Sequence, residues 1–234
     1  MRVKVGFTPA EEVSASLGIV IDVLRATSTI CQALASGFER VICVGEIDDA
    51  RALAGPGVAL AGERANVRID GFDYGNSPRE FRDLVPDTSA TSSLVLTTTN
   101  GTRLLLAAAA RCDEVVVASL LNFDTVVAAA RESEDVAVLC AGVERAFAID
   151  DAYVAGRIVA ALDGERDDAA VASVRLAEAF ATAEAGIGGG VSAANIRTAK
   201  LDDDIPYCAL ESVLDVLPRV VVRSATAVEI ASAL

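Results

Sequence analysis

Short runs of β-branched residues recur along the chain, and an alanine-rich stretch of helical length follows most of them. This alternation is typical of βα units. Because the runs are continuously apolar, their strands are expected to be buried on both faces, as in a mostly parallel sheet covered by helices. We therefore predict an α/β protein with a three-layer α/β/α fold and a mostly parallel or mixed sheet of about seven strands. The predicted strands are Gly18 to Asp22, Val41 to Val44, Val58 to Ala61, Leu94 to Thr97, Val115 to Ala118, Val136 to Cys140 and Val220 to Val222.

Most of the predicted helices lie between these strands, and Gly37 and Gly164 mark where two of them end. Two segments fall outside the pattern: the polar loop 65–78 and the glycine-rich stretch 186–190. We predict one domain over residues 1–234, or two closely packed lobes with a break near 186–190. The predicted helices are Ser28 to Ser36, Gly101 to Arg111, Thr125 to Glu132, Asp150 to Leu162, Asp168 to Ala183 and Pro206 to Leu214.

The chain contains no histidine. A Ser-His-Asp or Cys-His relay, a histidine metal site and a phosphohistidine intermediate are therefore excluded within one chain. Catalysis would depend on carboxylates, hydroxyls, thiols, lysines, backbone amides or a bound metal. With 34 Asp and Glu against 20 Lys and Arg, the net charge is −14. Such a chain lacks the positive field that binding to nucleic acid or to an acidic membrane surface requires.

The apolar segments are short, since none reaches the roughly 20 residues that span a bilayer. The first residues lack the apolar core of a signal peptide. Five scattered cysteines without a CxxC pair indicate reduced thiols rather than a disulfide scaffold. We expect a cytoplasmic protein without a membrane partner, and the alanine-rich composition leaves room for a homo-oligomer.

Polar residues follow the first predicted strand, at the sheet edge where ligands bind in doubly wound folds. Asp22 lies at the strand tip, Arg25 comes three residues later, and Thr27 and Ser28 stand at the predicted helix start. Such a loop can hold a metal ion and an oxyanion together. The alternative is structural, with a hydroxyl capping the helix and Asp22 capping a turn.

A hydroxyl-rich turn follows the fourth predicted strand. Backbone amides at a helix start carry about half a positive charge, and the hydroxyls and a guanidinium add donors suited to phosphate or sulfonate oxygens. The alternative is an Asn-Gly turn with ordinary capping by threonine. We predict an anion-binding turn composed of Thr97, Thr98, Thr99, Asn100, Gly101, Thr102 and Arg103.

The loop after the third predicted strand carries Glu63, Arg64, Asp73, Asn76 and Ser77. Glycines within it permit tight bends, so we predict a lid over the strand tips rather than a plain connector. The Ser77–Pro78 pair is also a standard helix start.

Acidic residues near the C-terminal half offer oxygen ligands for a hard cation. Asp151 is the better candidate. We interpret the run Asp202 to Asp204 as a solvated turn, because residues 201–217 contain no Lys or Arg. Gly142 follows the sixth predicted strand, and its lack of a side chain allows close backbone approach. Cys140 and Arg145 are one residue too close together for the C-x5-R loop of cysteine phosphatases.

Five blocks of the sequence resemble, in order, the motifs of the 2-phosphosulfolactate phosphatase family. The resemblance extends from about Ile19 to Val222, and its second and third blocks are the most specific. The sequence departs from the family pattern near Val143 to Phe147, where a more glycine-rich turn is expected. The blocks are VIDVLRATST, GERANVRIDGFDYGNSPRE, LTTTNGTR, CAGVERAFAIDD and DDDIPYCALESVLDVLPRV.

The resemblance implies an α/β/α phosphatase that requires magnesium and hydrolyses (R)-2-phospho-3-sulfolactate to 3-sulfolactate and phosphate, as in coenzyme M biosynthesis. We predict catalytic roles for Asp22, Arg25 and Asn100, and Mg²⁺ ligation by Asp22 and Asp151 with Glu63 or Asp73. The predicted substrate contacts are Thr27, Ser28, Arg64, Asn76, Ser77, Thr97, Thr98, Thr99, Gly101, Thr102, Arg103 and Gly142.

A small phosphorylated, anionic substrate approaching a chain of charge −14 needs a concentrated cationic spot. Arg25, Arg64, Arg79 and Arg103 are the candidates for it. Two alternatives stay open: a phosphatase acting on another small phospho-hydroxy acid, and a non-catalytic protein that binds small anions.

Overall fold

A computed structural model describes residues 1–84 and 92–233. Within these ranges eleven strands form one mixed sheet. The strands are β1 (Arg2–Gly6), β2 (Leu17–Ile21), β3 (Arg40–Val44), β4 (Val58–Arg64), β5 (Val67–Arg68), β6 (Ser93–Thr97), β7 (Glu114–Ala118), β8 (Asp135–Cys140), β9 (Glu165–Arg166), β10 (Leu217–Arg223) and β11 (Ala227–Ala233). Their order across the sheet is β5-β4-β6-β3-β11-β10-β7-β2-β8-β1-β9.

Helices cover both faces of the sheet, so the predicted three-layer α/β/α fold is confirmed. The helices are α1 (Ala26–Ala35), α2 (Ile47–Ala52), α3 (Pro78–Arg82), α4 (Gly101–Ala109), α5 (Phe123–Arg131), α6 (Ile149–Ala160), α7 (Asp168–Glu178), α8 (Ala183–Gly188), α9 (Val191–Thr198) and α10 (Asp204–Cys208), with a 3₁₀ turn at Leu120–Asn122. Apolar side chains of α1 and α4 pack on one face, and those of α5, α6 and α7 pack on the other.

The sheet consists of two parallel blocks joined by an antiparallel hairpin. Strands β4, β6 and β3 pair in parallel, as do β7, β2, β8, β1 and β9. The hairpin β10–β11 lies between them, with β11 antiparallel to β3 and β10 antiparallel to β7. Strand β2 is buried along its whole length between β7 and β8, as its continuous apolar run predicts.

The predicted strand count of about seven is wrong. All seven predicted strands are present, but the described residues form four more, namely β1, β5, β9 and β11. Strand β1 alternates charged and apolar residues, and β5 and β9 have two residues each. A search for continuous apolar runs misses such strands, because they have one exposed face or depend on the backbone of a neighbour for their pairing.

The C-terminal third also differs from prediction. Helix α10 covers only Asp204–Cys208, and the stretch 186–190 is the end of α8 and the start of the connection to α9 rather than a flexible break. Gly186 packs directly against the ring of Tyr153, where a Cβ atom would clash. The division of the chain into domains stays a prediction.

The described ranges contain no helix with both the length and the apolar character needed to cross a membrane. All five cysteines are buried and carry free thiols. Burial raises the pKa of Cys31 and of Cys208 to about 12, so both thiols are protonated at neutral pH.

Candidate active site

A cleft of about 80 Å³ opens where β2, β4 and β6 end, and we call it the Asp22 cleft. The predicted catalytic residues Asp22, Arg25 and Asn100 all line it, together with the predicted Glu63 and Asn76. Their convergence agrees with the expectation that polar strand tips meet at the carboxyl edge of the sheet. The remaining lining residues are Leu24, Ala65, Asn66, Thr99, Val143, Glu144 and Asn195.

The turn after β6 reaches the end of β2. Four strands separate the two in the sheet order, which would place them about 24 Å apart in a flat sheet. Yet α4 begins directly after β6 and touches Asp22: a Cβ atom on Gly101 would lie 2.5 Å from its Oδ2 atom. The turn between β6 and α4 therefore lies against the end of β2. Gly101 therefore allows the close approach of helix and carboxylate.

Asp22 is a buried carboxylate at the floor of the cleft. Its backbone is fixed by a hydrogen bond of 3.1 Å from its own N–H to Thr27 Oγ1 and by one of 2.9 Å from Thr27 N–H to its carbonyl. Burial, together with the nearby carboxylates of Asp150 and Glu63, raises the pKa of Asp22 to about 7. The negative charge at this position is thus poorly compensated by the protein.

Asp151 binds the backbone of two segments next to the Asp22 cleft. Its two carboxylate oxygens accept hydrogen bonds of 2.9 Å from the backbone N–H groups of Val23 and Gly142, which joins the segments after β2 and β8. Burial, together with Asp150 and Asp22, raises the pKa of Asp151 well above its usual range. Burial likewise raises the pKa of Asp150 to about 6, and Ser192 donates a hydrogen bond of 2.9 Å to it.

Glu63 holds two loops of the cleft wall. Its carboxylate accepts hydrogen bonds from the backbone N–H of Asn66 at 2.8 Å and from that of Thr99 at 2.9 Å. The hydroxyl of Thr99 donates a further one at 3.3 Å. This carboxylate therefore fixes the hydroxyl-rich turn relative to β4.

Arg25 is held by a buried ion pair. Its Nη1 atom lies 2.7 Å from Asp204 Oδ2, and both side chains are only 1% exposed. Ser77 donates a hydrogen bond of 2.5 Å to the other oxygen of Asp204, and Arg25 Nη2 donates one of 3.3 Å to Asn66 Oδ1. The Nε atom of Arg25 has no hydrogen-bond partner among the described residues. Arg25 thus lines the cleft and carries one buried N–H group that these contacts leave unsatisfied.

The interpretation of the run Asp202 to Asp204 as a solvated turn is wrong for Asp204. Asp203 is exposed as expected, but Asp204 is buried against Arg25. The absence of cations in 201–217 gave no sign of this pairing, because the partner lies 179 positions away in the sequence. Asn66, Glu144 and Asn195, which also line the cleft, were missed for lack of a local signal.

Several predicted substrate contacts have structural partners outside the cleft. Ser28 donates to the carbonyl of Val23, and Thr98 and Thr102 bond each other at the start of α4. No side chain caps α1 or α4 among the described residues, and the substrate contacts of these residues and of Thr27 stay a prediction. Ser77 faces Asp204, and Gly142, with φ of 65°, donates its N–H to Asp151.

The predicted arginines separate into two groups. Arg64 bonds Gly45 and Thr97, the latter at 3.0 Å, and Arg79 pairs with Asp203 at 3.0 Å. Neither lines the Asp22 cleft. Arg25 does, and Arg103 lies on an adjoining cavity.

The four predicted metal ligands are not gathered in one place. Asp73 is exposed and accepts a hydrogen bond of 2.8 Å from the N–H of Leu60, and neither Asp73 nor Asp151 lines the Asp22 cleft. In the part of the chain that is described, no three His, Cys, Asp or Glu side chains form a metal-holding group. Proteins commonly hold Mg²⁺ through one or two carboxylates plus substrate oxygens and water. Asp22 and Glu63 fit that smaller requirement, and so does Asn76 Oδ1, which is buried without a partner among the described residues.

Fold and site together define a three-layer α/β/α protein with a small polar cleft at the carboxyl edge of its sheet. Comparison with known proteins specifies it further. A model of the 2-phosphosulpholactate phosphatase family matches residues 5–222, and the chain belongs to this family.

Individual relatives agree with the family match. A 2-phosphosulfolactate phosphatase of Methanothermobacter thermautotrophicus is 37% identical over 93% of this chain and 92% of its own length. A probable 2-phosphosulfolactate phosphatase of Thermotoga petrophila is 38% identical over 68% of each chain. One of Thermus thermophilus, with the same name, is 33% identical over 89% of this chain and 90% of its own.

Proposed function

We propose that this protein is a phosphatase that hydrolyses (R)-2-phospho-3-sulfolactate to 3-sulfolactate and phosphate. The observation that carries the proposal is the Asp22 cleft, where an unpartnered N–H of Arg25 and a poorly compensated carboxylate line the same small space. Membership of the family and the names of the relatives support the substrate.

The phosphoryl group would bind between Arg25 and the start of α4. Arg25 offers its free Nε–H, and the ion pair with Asp204 fixes the direction of its guanidinium. Asn100 stands at the helix N-cap position without capping the helix through its side chain, so its amide is available to the substrate. Helix-start amides add partial positive charge. Positioned donors of this kind stabilise charge on phosphoryl oxygens in the transition state.

Asp22 and Glu63 would hold Mg²⁺, with the amide oxygen of Asn76 as a further donor. The bound ion would neutralise charge on the phosphoryl oxygens. Asp22 would orient the attacking water, because its carboxylate lies at the floor of the cleft against the start of α4. In the reaction the bond between phosphorus and the ester oxygen breaks, water supplies the new oxygen on phosphorus, and the ester oxygen leaves with a proton.

A phosphate-release assay on purified protein tests the proposal. We expect hydrolysis of 2-phospho-3-sulfolactate to exceed that of 2-phosphoglycolate and glycerol phosphate by at least about tenfold in kcat/KM, a difference of about 1.4 kcal/mol. EDTA is expected to stop turnover and added Mg²⁺ to restore it. Release of phosphate from another phospho-acid at a higher rate would assign a different substrate, and activity that survives EDTA would contradict the magnesium role.

We also propose the cytoplasm as its location. The support is chemical, since five buried free thiols suit a compartment that keeps cysteine reduced.

A further inference from the structure

A second cavity, of about 460 Å³, adjoins the Asp22 cleft, and we call it the outer cavity. Thr99, Asn100 and Glu144 line both spaces, so the two are neighbours across these three residues. The remaining walls of the outer cavity are Pro9, Arg103, Ala141 and Arg145. A molecule whose phosphoryl group lies beside Asn100 can therefore extend past that residue into a larger space.

The charge in the outer cavity differs from that in the Asp22 cleft. The cleft is lined by one guanidinium and three carboxylates, those of Asp22, Glu63 and Glu144. The outer cavity is lined by the guanidinium groups of Arg103 and Arg145 and by one carboxylate, that of Glu144. The outer cavity thus favours an anionic group that needs no metal ion.

Arg145 stands on a short, defined turn. Val143 and Ala146 exchange backbone hydrogen bonds of 3.0 and 2.8 Å, and the two residues between them have φ of 49° and 69°. Positive φ at both central positions is the geometry of a type I′ turn. At its base, Phe147 packs edge-on against Phe7 with ring centroids 5.4 Å apart. The turn after β8 therefore presents Arg145 from a fixed backbone, although its residues are not the glycines that the family pattern predicts.

The two arginines of the outer cavity are not equivalent. Arg103 lies 3.3 Å from the carboxylate of Glu46, whereas Arg145 pairs with no acidic side chain in the ranges that the structure covers. Arg145 thus has all its N–H donors for a ligand, and a planar guanidinium can bind two oxygens of an acid group at once.

We propose that Arg145 binds the sulfonate of the substrate in the outer cavity and thereby determines specificity for a sulfonated phospho-acid. This inference rests on the proposed function, which places the phosphoryl group in the Asp22 cleft. In 2-phospho-3-sulfolactate the sulfonate is one carbon farther from the ester oxygen than the carboxylate is. It is therefore the acidic group that reaches past Asn100.

The experiment compares two substrates on two variants. The substrates are 2-phospho-3-sulfolactate and 2-phospholactate, which has a hydrogen in place of the sulfonate. Arg145→Gln removes the proposed contact, and Arg175→Gln removes the same charge from an exposed pair on α7. We expect Arg145→Gln to lower kcat/KM for the sulfonated substrate about 10- to 100-fold, the loss of one charge-assisted hydrogen-bonded contact. The value for 2-phospholactate is expected to change less than about twofold.

Binding of the product distinguishes failure of this inference from failure of the proposed function. Calorimetry with 3-sulfolactate, which carries no phosphate, is expected to show Kd weakened at least about tenfold in Arg145→Gln and unchanged in Arg175→Gln. Equal losses for both substrates, or unchanged binding of 3-sulfolactate, would overturn the role of Arg145 even in an active phosphatase. A wild-type protein without phosphatase activity would remove the proposed function, while the calorimetry would still decide whether Arg145 binds the sulfonate.

Discussion

Two groups of buried charges flank the same cleft, and they are built in opposite ways. On one side Arg25 and Asp204 form a buried ion pair at 2.7 Å, with Ser77 bonded to the second oxygen of Asp204. On the other side the carboxyl groups of Asp22, Asp150 and Asp151 are buried near one another, and burial raises the pKa of all three.

The two groups differ in how their charge is compensated: the ion pair is balanced, and the three carboxyl groups are not. A buried charge with a good partner and further hydrogen bonds costs the fold little, and breaking the pair is expensive. A buried carboxylate beside other carboxylates lowers stability when ionised, and such groups cluster where a ligand compensates them. The Arg25 side is therefore held by its own partners, and the Asp22 side is where the proposed Mg²⁺ would compensate negative charge.

The largest expected effect comes from Asp22→Asn. We expect kcat to fall about 10³-fold or more, because the variant loses the charge proposed to hold the cation and orient water. In metal-free protein at pH 8 the same change is expected to raise the free energy of unfolding, since it removes a carboxylate that is costly to ionise in the fold. Phosphate release and urea denaturation measure the two effects.

Asp73→Asn is the matched control for that variant, because Asp73 was predicted as a ligand from the sequence but is exposed outside the cleft. It is expected to keep activity within about twofold. Comparable inactivation of both variants would show that the placement of the site is wrong.

The next largest effect is expected on the paired side. Asp204→Asn leaves the guanidinium of Arg25 buried without its counter-charge, so we expect the free energy of unfolding to fall by about 3 kcal/mol. Asp203→Asn changes the neighbouring residue, whose pair with Arg79 is exposed, and is expected to cost less than about 1 kcal/mol. Equal stabilities of the two variants in denaturant titrations would mean that the buried pair contributes no more to the free energy of unfolding than the exposed pair does.

The smallest expected effect is a pH dependence of stability that depends on Asp150. Burial raises its pKa to about 6 in the fold, so protonation stabilises the folded state below the usual pKa near 4, and this stabilisation is lost as pH rises through about 6. Between pH 5 and pH 8, metal-free wild type is expected to lose about 1 kcal/mol more than Asp150→Asn. If the thermal stabilities of the two proteins changed in parallel across this range, the ionisation of Asp150 would not affect the stability of the fold.

The local sequence was sufficient to predict the buried strands of the sheet and some of the residues that line the cleft. Continuous apolar runs indicate buried strands, and polar residues directly after them indicate the ligand-binding edge, which is how Asp22, Glu63 and Asn100 were found. The same approach missed β1 and β11, whose alternating residues do not stand out as apolar runs.

By itself, then, the sequence determined the α/β/α architecture, the buried strand that ends at Asp22 and a catalytic repertoire without imidazole. The tertiary structure decided which side chains meet. It placed β10–β11 between the parallel blocks, paired Arg25 with Asp204 and left Asp73 exposed. The physical reason is that burial along a strand shows in the residues of that strand, whereas a contact between positions 179 apart depends on the tertiary fold and leaves no local sequence signal.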